Sequence, residues 1–367
     1  MTKEKGLYYL VPDTAPIKIA RLCKEKNIVY GTREYNGYPW VIAAGEKRIL
    51  FTCAHCLCDG MGAVAFLKTV LALYLTERGL LPKGEAGALS PEAVLRTVED
   101  SFAKNAAEES WAPYSVGKKK KASPIPGRLF EKDREKAALY RFRIQKDEIK
   151  KLAAETETTT FAVIASVLAK SLARALNKEK GNINVLLPVN LRGLYGSETD
   201  RGFTYTAQLN YPIEKCMDKP LFFSSTAFRS QLDAVIDRDY FDFVLAQDKK
   251  RMELLIRHPF LLKLAKSAFY GMLYSPRASI VYTHLTRPFA KEAITPFIED
   301  FYIGGAARPS PLIVAMASTF GEEISVTMGQ SIKNEALIAA MRGVLAELGV
   351  SYRVEKAEKM PAIYYRS

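Results

Sequence analysis

Residues 51–75, FTCAHCLCDGMGAVAFLKTVLALYL, constrain the fold more than any other part of this 367-residue chain. The apolar runs at 40–43 and 48–55 flank Gly45 and read as a hairpin of two strands. After Asp59-Gly60, the residues Val64, Leu67, Leu71 and Leu75 recur at helical spacing on one face, and the pattern ends near Gly79. A strand that passes within a few residues into a long apolar helix needs layers that bury both. An α/β architecture follows.

The rest of the chain repeats the alternation. Strands are expected near 139–144, 183–190 and 201–211. A helix is expected over 160–177, with Phe161, Ile164, Leu168 and Leu172 on one side and Thr159 or Thr160 as its cap. Helical patterns cover 218–237 and 247–273. Four strand-like runs follow at 278–283, 298–303, 311–319 and 322–328, then a helix over 334–348 and a strand near Tyr352. No repeat of 20–50 residues is visible, which excludes solenoids and propellers. The segment GKKKKASPIPG, with Pro124 and Pro126, is the best internal linker. Two sheet-plus-helix subdomains are therefore expected, at 1–127 and 128–367.

The formal net charge of +13 is local. Residues 115–150 hold 12 Lys/Arg against 5 Asp/Glu, and residues 244–277 hold 7 against 2. With no recognition motif beside this charge, nucleic-acid binding is not supported. The run Lys118–Lys121 reads as a solvated loop or as an anion contact. The basic helix around 252–273 reads as a core helix with a charged rim, or as a contact for an anionic membrane surface. Five scattered cysteines, Cys23, Cys53, Cys56, Cys58 and Cys216, do not form a secreted disulfide framework. With no signal-like leader and no apolar run of 18 residues, the expectation is a cytoplasmic protein whose thiols are reduced, small buried residues.

Chemistry concentrates at His55. It sits at a strand end, four residues before Asp59, in an H-x-x-x-D-G pattern completed by Gly60. An imidazole presented there can take a proton from a hydroxyl, amine or thiol. Asp59 would turn away and anchor the turn through a cation elsewhere, and Gly60 would allow a tight entry into the helix. A metal reading of Cys53, His55, Cys56 and Cys58 fails, because strand neighbours alternate faces and no second ligand pair lies downstream.

This motif resembles the active-site HxxxDG of the chloramphenicol acetyltransferase-like, CoA-dependent acyltransferases, which include alcohol acetyltransferases and peptide-synthetase condensation domains. The segment LPVNLR at 187–192 resembles the PVNLR of the alcohol acetyltransferase branch. The stretch from Ile280 and the closing stretch from Ser318 to Val350 resemble the family's later strands, hairpin and helix. The resemblance spans nearly the whole chain. It implies two α/β subdomains with a tunnel between them, and direct transfer of an acyl group, acetyl first, from acyl-CoA to a small-molecule alcohol. No permanently bound cofactor is implied. His55 would be the general base, Arg192 would pair with Asp59, Thr283 would donate to the oxyanion, and Lys118, Lys119, Lys120 and Lys121 would meet CoA phosphates. Ala54 stands where condensation domains have a second histidine, which disfavours peptide-bond synthesis. No D-F-G-W-G stretch is present, and the run at 283–286 lacks the family's glycine. Relatives also carry more than the 54 residues found here before the motif histidine, so the first subdomain is expected to lack an initial strand and helix. The alternatives are a non-catalytic or partner-dependent relative, or a condensation-like enzyme using an amine acceptor.

Overall fold

The computed structural model describes residues 2–4, 7–9, 14–22, 28, 30–82, 97–106, 121–123, 129, 138–258, 261, 279–289, 292–305, 313–330 and 332–357. Two sheets matter to the site. The smaller joins β1 (Ala20–Arg21), β2 (Trp40–Ala44) and β3 (Ile49–Cys53), with β2 and β3 antiparallel in the register Trp40↔Cys53. Helix α1 (Gly60–Glu77) follows directly.

The larger sheet contains β4 (Ala138–Gln145), β5 (Asn182–Asn190), β6 (Thr204–Pro212), β7 (Ile280–Leu285), β8 (Ile313–Phe320), β9 (Glu323–Gln330) and β10 (Tyr352–Ala357). Its order is β10-β4-β9-β8-β7-β5-β6. The β5–β7 and β7–β8 pairs are parallel and the others antiparallel. The helices are α2 (Lys146–Glu155), α3 (Thr160–Ala175), α4 (Leu221–Asp233), α5 (Arg238–Arg257) and α6 (Ala336–Glu347).

The central element is α3, whose residues 162–173 are all buried. Ala and Ser in the run AVIASVLAKSLA keep it slim enough for α2, α4 and α6 to pack around it. Its Thr159 cap accepts a hydrogen bond from the Ala162 amide at 3.2 Å. Sequence periodicity missed α2, which is short and largely charged. Of the helix expected over 247–273, the structure describes α5, which starts earlier, at Arg238, and runs to Arg257. Met252, Leu254 and Ile256 are exposed on that last turn, and residues 262–278 lie outside the described residues.

Residues 298–303 are not a strand. This extended segment crosses the sheet face held by side chains: both Asp300 carboxylate oxygens accept from Arg141, and Thr327 Oγ1 donates to the Ile303 carbonyl. Together with Leu285, Phe289 and Phe320, Ile298, Phe301 and Ile303 cover Val64, Leu67, Leu71 and Leu75 of α1. The motif helix is thus buried mainly by the second half of the chain. On its other side, Phe66 meets Phe51 and Trp40 of the small sheet at ring distances of 4.9 and 5.6 Å.

By length and apolar composition α1 is long enough to cross a membrane. One of its faces covers this cluster, and its first turn is tied to the large sheet as described next. Met61, Phe66, Leu73 and Tyr74 remain exposed.

Candidate active site

Beta pairing ends at Cys53. The Ala54 amide still donates to the Pro39 carbonyl at 2.7 Å, and the chain then turns, with the Leu57 amide donating back to the Ala54 carbonyl at 3.0 Å. His55 therefore lies at the second position of a tight turn, just past the strand rather than within it. Its side chain is exposed and makes no hydrogen bond among the described residues.

Asp59 fixes the other end of the turn. As the N-cap of α1, its Oδ1 accepts from the Met61 and Gly62 amides, each at 3.1 Å. Arg192 meets the same carboxylate bidentately, Nη1 to Oδ2 at 2.8 Å and Nη2 to Oδ1 at 2.9 Å. The Phe203 amide adds a bond to Oδ2 at 3.1 Å. Asp59 is 5% exposed, so its charge depends on these partners.

Arg192 is equally committed. Nε donates to the Thr199 carbonyl at 2.6 Å, Nη1 to Asn190 Oδ1 at 3.1 Å, and Nη2 to the Arg201 carbonyl at 2.6 Å. With the two bonds to Asp59, all five guanidinium N–H groups are used. The loop at 197–203 that wraps the guanidinium is pinned in turn, since Thr199 Oγ1 donates to the Glu99 carbonyl at 2.8 Å and the Asp200 amide to the Thr97 carbonyl at 2.7 Å.

The structure corrects the reading of Gly60. It is the first residue of α1 and has no left-handed backbone; a Cβ there would make ordinary contact with Leu285 at 3.5 Å. The requirement for glycine falls on Gly62, which the sequence reading passed over. A Cβ on Gly62 would lie 1.7 Å from the Asp200 carbonyl oxygen. A second glycine in the first turn of a long helix costs helix propensity, and that was the available signal. Burial raises the Asp200 carboxyl above its usual range; Arg192 pulls it down and Asp59 pushes it up.

Thr283 lies on β7, two residues before Leu285 and so on the same face, the face that meets Gly60 at the start of α1. It is half-buried and has no hydrogen-bond partner among the described residues. His284 faces the other way, with Nδ1 3.3 Å from Tyr282 Oη and Nε2 3.0 Å from Thr319 Oγ1. Burial pushes its pKa down to about 4, so it stays neutral.

Lys118, Lys119 and Lys120 lie outside the described residues. Lys121 is exposed and is not brought to the turn. It precedes Ser123, whose amide donates to the carbonyl of Asn182, the first residue of β5. Asn190 and Arg192 lie at the far end of that strand, roughly 26 Å along it at about 3.3 Å per residue.

The thiols also differ from expectation. Cys216 is buried, but Cys53 and Cys58 are half-buried and Cys56 is exposed. Among the described residues no group of three or more His, Cys, Asp or Glu is placed to hold a metal. What the site offers is an accessible imidazole on a turn whose two ends are rigidly held.

Compared by sequence, the chain matches no protein-family model and no curated protein. Compared by structure, it is similar to polyketide synthase associated protein 5 from Mycobacterium tuberculosis, with a TM-score of 0.53 and 16% identity over 90% of this chain and 80% of that one. It is also similar to F. sporotrichioides TRI101 complexed with coenzyme A and T-2, with a TM-score of 0.52 and 11% identity over 86% and 70% of the two chains. F. graminearum TRI101, complexed with coenzyme A and T-2 mycotoxin, gives a TM-score of 0.50 and 12% identity over 88% and 71%. These likenesses show the fold, which is the two-subdomain α/β fold of the chloramphenicol acetyltransferase-like acyltransferases.

Proposed function

We propose that this chain, which has the CoA-dependent acyltransferase fold, moves an acyl group from a CoA thioester to a hydroxyl acceptor, acetyl being the first acyl group to try. The observation that carries the reading is the accessible imidazole of His55 on a turn anchored by the fully bonded Asp59–Arg192 pair. The same pair argues against Asp59 as an acid or base, because its lone pairs are already engaged. His55 accepts the proton of the acceptor hydroxyl while the oxygen attacks the thioester carbonyl. Thr283 donates to the oxyanion that forms. The tetrahedral intermediate collapses, the C–S bond breaks, and the imidazolium returns its proton to the departing CoA thiolate. No acyl-enzyme forms. Holding both substrates at one imidazole is worth about 7 kcal/mol in favourable cases. A well-placed oxyanion donor adds about 3 kcal/mol.

The test is incubation with acetyl-CoA and a panel of alcohols, following free CoA thiol and the ester by mass spectrometry. The expected result is ester formed one-for-one with thiol, with intersecting initial-rate lines as both substrates are varied. Thiol release without ester, or no release with any acceptor, would overturn the reading.

One observation favours a second reading, a relative that needs a partner. His55 is open to solvent, and α1 beside it exposes Met61, Phe66, Leu73 and Tyr74. A separate chain covering those side chains would complete the site. In that case ester forms only when the second chain is added.

A further inference from the structure

We propose that Cys53 and Cys58 are a thiol-oxidation site, closing a reversible intramolecular disulfide that brackets His55. Their Sγ atoms lie 3.9 Å apart across the mouth of the turn. Neither end owes its position to the turn itself. Cys53 is the last residue of β3, in register with Trp40, and Cys58 precedes Asp59, which Arg192 and three backbone amides hold. The sheet and the ion pair therefore bring the thiols together. A disulfide needs an S–S distance of about 2.05 Å, so the sulfurs must close by roughly 2 Å.

The two thiols are also unequal. The thiol–thiol contact lowers the Cys53 pKa, while that contact, burial, Asp59 and Asp200 push the Cys58 thiol up. Cys53 is the attacking thiolate and Cys58 the resolving thiol.

The oxidant is a low-molecular-weight disulfide such as glutathione disulfide. The Cys53 thiolate attacks one of its sulfurs, the S–S bond breaks, and one glutathione leaves as the thiol after taking up the proton Cys53 has lost. Cys58 then gives up its proton and attacks Cys53 Sγ, expelling the second glutathione, which takes that proton. Two protein thiols are oxidised by two electrons, and one small disulfide is reduced to two thiols. The closed ring contains Ala54, His55, Cys56 and Leu57, so oxidation reshapes the segment that presents the imidazole. A consequence for turnover rests on the reading of His55 as the base; the disulfide does not.

The test uses the full chain and its Cys56→Ser variant, exposed to glutathione disulfide, blocked with N-ethylmaleimide and cut with trypsin. Residues 49–68 form one tryptic peptide holding all three thiols. The expected product in Cys56→Ser is a peptide lighter by two hydrogens that takes no maleimide, formed about tenfold faster in native than in denatured protein. Adding Cys58→Ser should leave only the mixed disulfide with glutathione at Cys53. Two free thiols or two glutathione adducts on native Cys56→Ser would overturn the proposal. An inactive protein that still closes the ring sinks the catalytic reading alone, and an active one that never closes it sinks this proposal alone. In an active protein, oxidation should lower turnover about tenfold and dithiothreitol should restore it.

Discussion

Asp59→Ala lowers the free energy of unfolding by about 3–5 kcal/mol, because it strands the Arg192 guanidinium, whose side chain is only 13% exposed. The effect reaches beyond one ion pair. Asp59 caps α1, accepts the Phe203 amide and holds Arg192, so its loss releases the His55 turn, the helix start and the loop at 197–203 together. Arg192→Met strands the carboxylate instead, with a loss of similar size. Since each single variant exposes the same defect, the double variant loses clearly less than the sum. Urea denaturation of the four proteins measures this cycle. Strict additivity would show that the two residues act independently, against the geometry.

Gly62→Ala is the second large effect, expected at about 3 kcal/mol or more. The added carbon meets a backbone oxygen at 1.7 Å and Cys58 Cβ at 2.9 Å. The oxygen belongs to Asp200, whose own amide is bonded to Thr97 and whose neighbours Thr199 and Arg201 are bonded to Arg192. It cannot withdraw without loosening the anchor. Gly60→Ala, two residues away, changes stability by less than about 1 kcal/mol, since its Cβ meets only Leu285 in ordinary contact. Thermal unfolding of the two variants side by side separates them, and equal stability would contradict the close approach at Gly62.

These two expectations show where the sequence was readable. The His55 turn and helix α1 are local, so strand pattern and helical spacing point the same way within 30 residues, whereas the capping role of Asp59 emerges only in the structure. Nothing in the spacing of 59 and 192 says that they meet, so the Arg192 partnership is implied by the resemblance alone. The polar residues that complete the anchor, Asn190, Thr199 and the backbone at 201 and 203, lie in or beside coil and carry no periodic signal. Residues 298–303 looked like a strand because Ile298, Phe301 and Ile303 are apolar. The segment is held by Arg141 on the Asp300 carboxylate and by Thr327 on the Ile303 carbonyl rather than by a ladder, a choice made by tertiary contacts. Cysteine's usual burial predicts hidden thiols, whereas the turn that carries exposed His55 leaves its neighbours accessible too.

The account stands or falls on His55 as the base. The most direct measurement is kcat for the ester-forming reaction in His55→Ala, beside its unfolding curve. An exposed side chain with no bonding partner among the described residues can be removed without cost to the fold, so stability should be unchanged within about 0.5 kcal/mol. The rate should fall by about 100- to 10,000-fold, the worth of a positioned general base. A variant that folds like the parent and turns over at the parent's rate would contradict the assignment.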